Sequence, residues 1–185
     1  DSTSFGVAEA LDTVAGDRYD VLWAGGRNCP LVAADRIRWW GDVTFDMTKC
    51  PRVDREWASI LPAFAPEAVL MIYSVPEQAD QRYERDGKWY WVGKSEFDRR
   101  HRDTIGKLLD LGRPVGSRFV LFTSPRVYGG ALGGAPFSQD RRVDAWNRAL
   151  ASYVSTWPEI ALWDWASMDR PPTTIPISWR ACATP

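Results

Sequence analysis

The sequence predicts one α/β domain with a three-layer α/β/α arrangement around a mainly parallel sheet. Apolar, strand-like runs alternate with amphipathic helical stretches along the 185 residues. This alternation is typical of parallel β-α-β units joined by right-handed crossovers. The length suits a single domain, residues 1–185, with a substantial core.

Four segments are predicted as strands. The runs AVLMIYS at residues 68–74 and RFVLFT at 118–123 are continuously apolar, which favours strands buried on both faces of a sheet. Residues 19–24 (YDVLWA) and 160–165 complete the set, and residues 87–93 predict a short extended insertion. Ligands in such folds bind beyond the carboxyl ends of the strands, so we expect a site there.

Four helices are expected, one before the first of these strands and three between them. Asp54 and Ser95 stand where two of them begin, and their side-chain oxygens can cap free helical N–H groups. Before the last helix, the glycine-rich residues 128–136 predict a mobile flap. The predicted helices cover residues 4–14, 54–64, 95–111 and 138–156.

Composition narrows the function classes. The net charge is −1 with 25% charged residues, so no basic surplus indicates a nucleic-acid partner. No stretch has the apolar length of a membrane-spanning helix. Neither a phosphate-cradling glycine motif nor an acidic metal cluster is present, so we expect no cofactor and no metal.

The three cysteines lack CxxC spacing, which argues against zinc and thioredoxin-type sites. Cys29 and Cys50 bracket much of an irregular segment, residues 27–53. A disulfide between them would restrict the unfolded chain and would indicate a domain outside the cytosol. Cys182 would then be unpaired.

The chain holds eleven tryptophans. Four of them lie in polar, glycine-flanked surroundings and offer flat apolar faces for a substrate groove. The alternative interpretation is that the tryptophans belong to a tryptophan-rich core whose margins are exposed to solvent. The four candidates for substrate binding are Trp39, Trp40, Trp89 and Trp91.

Ser2 is the candidate nucleophile. It lies in DSTSFG, residues 1–6, which leads into an apolar helix. At a helix N-terminus, backbone N–H groups can stabilise an oxyanion. The alternative is a plain helix cap or a disordered terminus.

This hexapeptide resembles the first sequence block of the SGNH (GDSL) hydrolases, Gly-Asp-Ser-x-x-x-Gly, without its leading glycine. Residues 24–29 (AGGRNC) fall where that superfamily has its second block, and residues 73–77 (YSVPE) fall at the third block, without its Asn. The order of elements extends the resemblance over nearly the whole chain. The chain is also similar to the SGNH-like domains that are attached to integral-membrane O-acyltransferases of bacterial polysaccharides. The similar features are a Gly/Cys second block, a second Cys about twenty residues later, and the segment Arg142-x-x-x-x-Asn147.

The resemblance implies a flavodoxin-like strand order and a serine O-acyl esterase or acyltransferase of acylated glycans, on the extracytoplasmic side. Its partners would be a glycan or another acylated small molecule, with a membrane acyltransferase domain in the same polypeptide. The implied roles are Ser2 as nucleophile, the N–H groups of Ser2 and of Gly25 or Gly26 at the oxyanion, and Asn28 or Glu77 in place of the absent Asn.

The sequence departs from the family pattern at the general base. The superfamily supplies it from an Asp-x-x-His after the last strand, whereas the only histidine here is His101, three residues after Asp98. His101 shares a helical face with Phe97 and Ile105, so we expect it to pack in the core. We therefore expect the base beyond Pro185.

We also expect a strand before Ser2, giving a domain truncated at both ends, and the alternative is that another chain supplies this strand. In a 2-1-3-4-5 order that strand separates residues 19–24 from 68–74, which would otherwise stand ~9–10 Å apart with unpaired backbone. Two other functions remain open: a non-catalytic glycan-binding domain on the same fold, and an unrelated flavodoxin-like binding domain.

Overall fold

The computed structural model describes residues 2–26, 28–38, 43–73, 75–125 and 140–169. Its helices are α1 (Ser2–Ala15), α2 (Val53–Phe64), α3 (Val75–Gln78), α4 (Ser95–Gly112) and α5 (Asp140–Val154). Its strands are β1 (Arg36–Arg38), β2 (Thr44–Asp46), β3 (Ala68–Ile72), β4 (Asp80–Arg82), β5 (Trp89–Tyr90), β6 (Arg118–Phe122) and β7 (Ile160–Trp163).

The described strands form two sheets. One is parallel, in the order β3-β6-β7, and the other is antiparallel, in the order β2-β1-β4-β5. The mixed α/β class and the parallel sheet are confirmed, and three of the four predicted strands correspond to β3, β6 and β7. The antiparallel sheet was not predicted, because β1 and β2 are three-residue strands inside a segment that reads as irregular.

The main core lies on one face of the parallel sheet. Val69 and Met71 of β3 stand beside Phe119 and Leu121 of β6, and all four are buried. Buried residues of α2, α4 and α5 belong to the same apolar cluster. Trp146 of α5 is a fully buried member of this cluster. These three helices therefore cover one face of the sheet together.

The expectation that the strands are buried on both faces is wrong. Burial alternates along β3, and Leu70 remains 40% exposed between the buried Val69 and Met71. Trp163 of β7 is 38% exposed in the same way. The reason is that α2, α4 and α5 all pack on one side, so the flavodoxin-like three-layer order is not established by the described residues.

The predicted strand at residues 19–24 is also wrong. This segment has no strand pairing, although its apolar and aromatic side chains favour one. A strand forms only where a neighbour accepts its backbone hydrogen bonds. The segment and β3 line the same groove, and no backbone pairing joins them among the described residues.

The two predicted helix caps are wrong as well. The residues that cap α2 and α4 are Arg52 and Lys94, both with extended backbone and without a side-chain capping bond. Asp54 and Ser95 lie inside the first turns instead. At α4 the first turn carries Glu96 and Asp98, whose negative charges favour a helix N-terminus without a cap.

Two glycines of α4 predict opposite stability changes. A Cβ at Gly112 would lie 2.5 Å from the Phe119 ring, whereas a Cβ at Gly106 would meet only Trp157, at 3.4 Å. Gly112→Ala should lower the free energy of unfolding by about 1–3 kcal/mol through overpacking. Gly106→Ala should raise it by about 0.5–1 kcal/mol through helix propensity. Urea unfolding of both variants measures this, and equal effects would contradict the packing of α4 on β6.

Candidate functional site

The carboxyl ends of the three parallel strands are joined by side-chain hydrogen bonds. After β6, the Ser124 hydroxyl donates to the carbonyl oxygen of Tyr73, which follows β3, at 3.0 Å. The neighbouring Thr123 hydroxyl lies 3.0 Å from an Asp164 carboxylate oxygen after β7. Polar side chains that follow β6 and β7 therefore meet at this edge of the sheet.

Asn147 of α5 holds this edge in place. Its Oδ1 accepts a hydrogen bond from the Ser124 N–H at 2.8 Å, and its Nδ2 donates to the Ser124 carbonyl at 3.0 Å. One amide side chain therefore satisfies both backbone groups of Ser124. This gives Asn147, noted in the sequence as part of Arg-x-x-x-x-Asn, a positioning role at the carboxyl edge.

Asp80 of β4 joins the antiparallel sheet to α5, a contact that the sequence did not predict. Its carboxylate, only 10% exposed, pairs with Arg142 of α5 at 2.6 Å and with Arg38 of β1 at 3.0 Å. Arg142 also donates to the Gln78 carbonyl at 3.1 Å. Asp80 lies 42 and 62 positions from its two partners, so no local spacing could have revealed the network.

The predicted disulfide is present. Cys29 and Cys50 are bonded, with Cα atoms 5.5 Å apart. Gly26 packs directly on this bridge, because a Cβ there would lie 2.7 Å from Pro51 and 2.9 Å from the Cys29 sulfur. The Gly26 carbonyl accepts the Cys29 N–H at 3.2 Å, and Asn28 between them is exposed with φ +58°. The Gly25–Gly26 segment is therefore fixed against the disulfide.

The first turns of α1 lie beside the segment that leads into Gly25. The indole N–H of Trp23 donates to the Ser4 hydroxyl oxygen at 3.1 Å, and Phe5 packs edge-on against the same ring. The indole N–H of Trp57 in α2 donates to the Ala24 carbonyl at 3.0 Å. The side chain of Ser2 is outside the described part of the structure, so its role with Gly25 and Gly26 stays a prediction.

Glu77 is buried, with 4% exposure. One of its carboxylate oxygens accepts the Leu31 N–H at 2.9 Å, which ties the chain after Cys29 to the short helix α3. This contact gives Glu77 a supporting role for the disulfide-bonded segment. A direct role for Glu77 on substrate stays a prediction.

The candidate tryptophans divide into two pairs. Trp89 in β5 is half-buried beneath the Arg38 guanidinium, whose central carbon lies 4.7 Å from the ring centre. Trp91 is 44% exposed, with the Lys94 ammonium 4.5 Å from its ring centre. Trp39 and Trp40 lie outside the described residues, as do the expected flap at 128–136 and Cys182.

His101 packs in the core, as its helical spacing from Phe97 and Ile105 predicted. It is fully buried, stacks on Phe97 at 4.1 Å and lies edge-on to Trp146 at 5.1 Å. Its Nδ1 lies 2.9 Å from the Phe97 carbonyl, so the neutral ring donates there, and Nε2 has no partner among the described residues. Burial lowers the pKa of His101 to about 4. Asp98 instead accepts the Tyr153 hydroxyl at 3.1 Å.

Models of known protein families give no match to this chain, and neither do curated proteins. Within the described ranges, no helix has the length and apolar character needed to cross a membrane. The same residues contain no group of three or more His, Cys, Asp or Glu side chains suited to a metal ion.

The buried His101 predicts acid sensitivity. Its pKa is about 4 in the folded protein and about 6.5 unfolded, so only the unfolded state gains the proton between these values. Its contribution to stability is complete above pH 6.5 and falls by up to about 3 kcal/mol as the pH approaches 4. His101→Leu should flatten this part of the pH profile of the unfolding free energy. An NMR titration of the ring near pH 6.5 in the folded protein would contradict the assignment.

Proposed function

We propose that this chain is an SGNH-type serine O-acyl esterase or acyltransferase domain acting on acylated glycans. The sequence blocks at residues 1–6 and 24–29 suggest it. The observation that supports it most is the bond from Trp23 to Ser4. This bond brings the N-terminal part of α1, where the candidate nucleophile lies, beside the segment that carries the candidate oxyanion donors.

In the proposed reaction, the Ser2 hydroxyl oxygen attacks the acyl carbonyl carbon as a base takes its proton. The N–H groups of Ser2 and of Gly25 or Gly26 donate to the oxyanion, and Asn28 adds a side-chain donor. The tetrahedral intermediate collapses to acyl-Ser2 as its bond to the glycan oxygen breaks, and the protonated base returns its proton to that oxygen, which leaves as a hydroxyl group. Water then completes hydrolysis, or an acceptor hydroxyl completes transfer. Gly26 is held against Pro51 and the disulfide, which favours a preorganised donor loop.

The base has to come from outside residues 1–185 if it is a histidine. His101 is the only histidine of the sequence, and it is buried with its ring bonded to its own helix. A base must reach the serine hydroxyl within about 3 Å. We therefore assign the base to another segment of the polypeptide or to a partner chain.

The proposed location is the extracytoplasmic side of a membrane, in one polypeptide with a membrane acyltransferase domain. The Cys29–Cys50 disulfide supports it, because such bonds persist in oxidising compartments. For the glycan we propose Trp91 and Trp89 as stacking surfaces, and Trp39 and Trp40 remain candidates on the sequence alone. The exposure of Trp91 favours this use.

The second candidate function is a non-catalytic glycan-binding domain on the same fold. It is favoured by the burial of the only histidine and by the engagement of Glu77 with the Leu31 N–H. Binding needs neither a base nor an oxyanion hole.

The two functions differ in their response to an added base. We expect residues 1–185 to hydrolyse an O-acetylated glycan slowly, and external imidazole to raise the rate about 10²-fold or more by supplying general-base catalysis. Ser2→Ala should abolish this imidazole-dependent rate, whereas Thr3→Ala, a matched hydroxyl deletion in the same turn, should retain it. Acetate release measures both.

Glycan binding measured by calorimetry separates the outcomes. Binding without any Ser2-dependent turnover, at every imidazole concentration, favours the binding domain over the enzyme. Neither binding nor turnover would contradict both functions.

A further inference from the structure

Two arginines share one carboxylate where the antiparallel sheet meets α5. Arg38 and Arg142 bond to different oxygens of Asp80, at 3.0 and 2.6 Å, and their side chains remain 31% and 32% exposed. Neither arginine has an ion pair with a second carboxylate in the described part of the chain. Two guanidinium charges and one carboxylate charge leave these three residues, the Asp80 cluster, with a net charge of +1.

Arg142 keeps one edge of its guanidinium group unused. Its Nη1 donates both to the Asp80 carboxylate and to the Gln78 carbonyl oxygen, at 2.6 and 3.1 Å. Its Nε and Nη2 have no acceptor among the described residues. Two parallel N–H groups on one edge of a guanidinium match the two oxygens of a carboxylate. The bonds of Nη1 thus fix the side chain, while the other edge remains available to an anion.

Arg38 is held in place as firmly as Arg142. Its Nε and Nη2 both donate to one Asp80 oxygen, and its central carbon lies 4.7 Å from the centre of the Trp89 ring. One arginine would be enough to neutralise Asp80. A second, half-buried guanidinium adds a positive charge whose desolvation is costly without a further anion. Both side chains are already oriented, which lowers the entropic cost of binding that anion.

We propose that the Asp80 cluster binds a carboxylate of the glycan, so that the substrate is an acylated glycan containing acidic sugars. The acyl group in this assignment rests on the proposed function, whereas the anion site rests on the cluster itself. The sugar carboxylate accepts hydrogen bonds from Nε and Nη2 of Arg142, and the neighbouring Arg38 supplies a second positive charge.

The cluster is next to the candidate stacking surfaces. Trp89 lies directly under Arg38, and the pairing of Gln81 with Tyr90 places Trp91 beside the end of β4 at which Asp80 lies. A sugar ring has an apolar face that can stack on an exposed indole. One sugar on Trp91 therefore has its polar substituents within the neighbourhood of the two arginines.

The short helix α3 connects the cluster to the candidate catalytic segments. Its residue Gln78 accepts the hydrogen bond from Arg142, and its residue Glu77 accepts one from the Leu31 N–H, just beyond Cys29. On the other side, α5 carries both Arg142 and Asn147, and Asn147 fixes Ser124 at the carboxyl edge. The anion site therefore borders the edge at which we place the acyl chemistry.

An acidic glycan fits the cluster better than a nucleic acid does. A nucleic acid carries closely spaced phosphates, and its binding requires many positive charges that neutralise them. The cluster has a surplus of one charge and a carboxylate at its centre, and the whole chain has a net charge of −1. Such a surface suits isolated carboxylates that are separated by neutral sugar groups.

The test compares two glycans that differ only in their carboxylates. One is a set of oligogalacturonides, and the other is the same set after reduction of its carboxylates to alcohols, both acetylated to the same extent. In calorimetry, residues 1–185 should bind the carboxylated set about tenfold or more tightly. Arg142→Gln should remove this preference by weakening the binding of the carboxylated set alone. Arg148→Gln removes an exposed arginine of the same helix and should retain the preference.

Equal affinities for the two glycans, or no binding of either, would overturn the proposal. So would an equal loss for both glycans in Arg142→Gln, because Arg142 would then only support the fold. Tighter binding of an oligonucleotide of the same charge would overturn it in favour of a nucleic-acid partner. The comparison of glycans on the unchanged chain decides the matter if the variant does not fold.

Acetate release in the presence of imidazole separates this proposal from the proposed function. A preference for the carboxylated glycan without any Ser2-dependent release supports the anion site and contradicts the esterase. Ser2-dependent release from both glycans at equal rates and with equal affinities supports the esterase and contradicts the anion site.

Discussion

The parallel ladder between β3 and β6 is the interaction on which the rest of the described structure depends. It places Val69 beside Phe119 and Met71 beside Leu121, and this apolar face receives α2, α4 and α5. The same ladder sets the carboxyl ends of both strands level. Ser124 can then reach the Tyr73 carbonyl, and Asn147 of α5 can bind both backbone groups of Ser124. The core and the candidate site therefore share one support.

The opposite edge of β3 explains the less regular half of the molecule. There the strand faces a groove, and α1 with residues 19–26 stands on its far side. This part is held by a few specific contacts, the Trp23–Ser4 and Trp57–Ala24 hydrogen bonds and the disulfide beside Gly26. The candidate nucleophile and oxyanion donors belong to this half. The groove therefore borders the segments that carry these candidate residues.

The sequence predicted those features that depend on local pattern. Apolar runs identified β3, β6 and β7, helical spacing placed His101 among core residues, and loop composition suggested the Cys29–Cys50 pair. It could not predict features set by long-range contact. The prediction of a strand at residues 19–24 was wrong because a strand forms only beside a paired neighbour. The ion pairs of Asp80 were not predicted because its arginine partners are remote in sequence. The burial of only one face of β3 likewise depends on long-range packing, because α2, α4 and α5 all pack against that face.

Amide hydrogen exchange along β3 tests the central claim most directly. In residues 1–185, the N–H groups of Val69 and Met71 face β6, whereas those of Leu70 and Ile72 face the groove. We expect the first pair to exchange slower than the second by about 10²-fold or more, because only hydrogen-bonded amides need an opening of the structure. Equal protection of all four amides would contradict an edge strand beside an open groove.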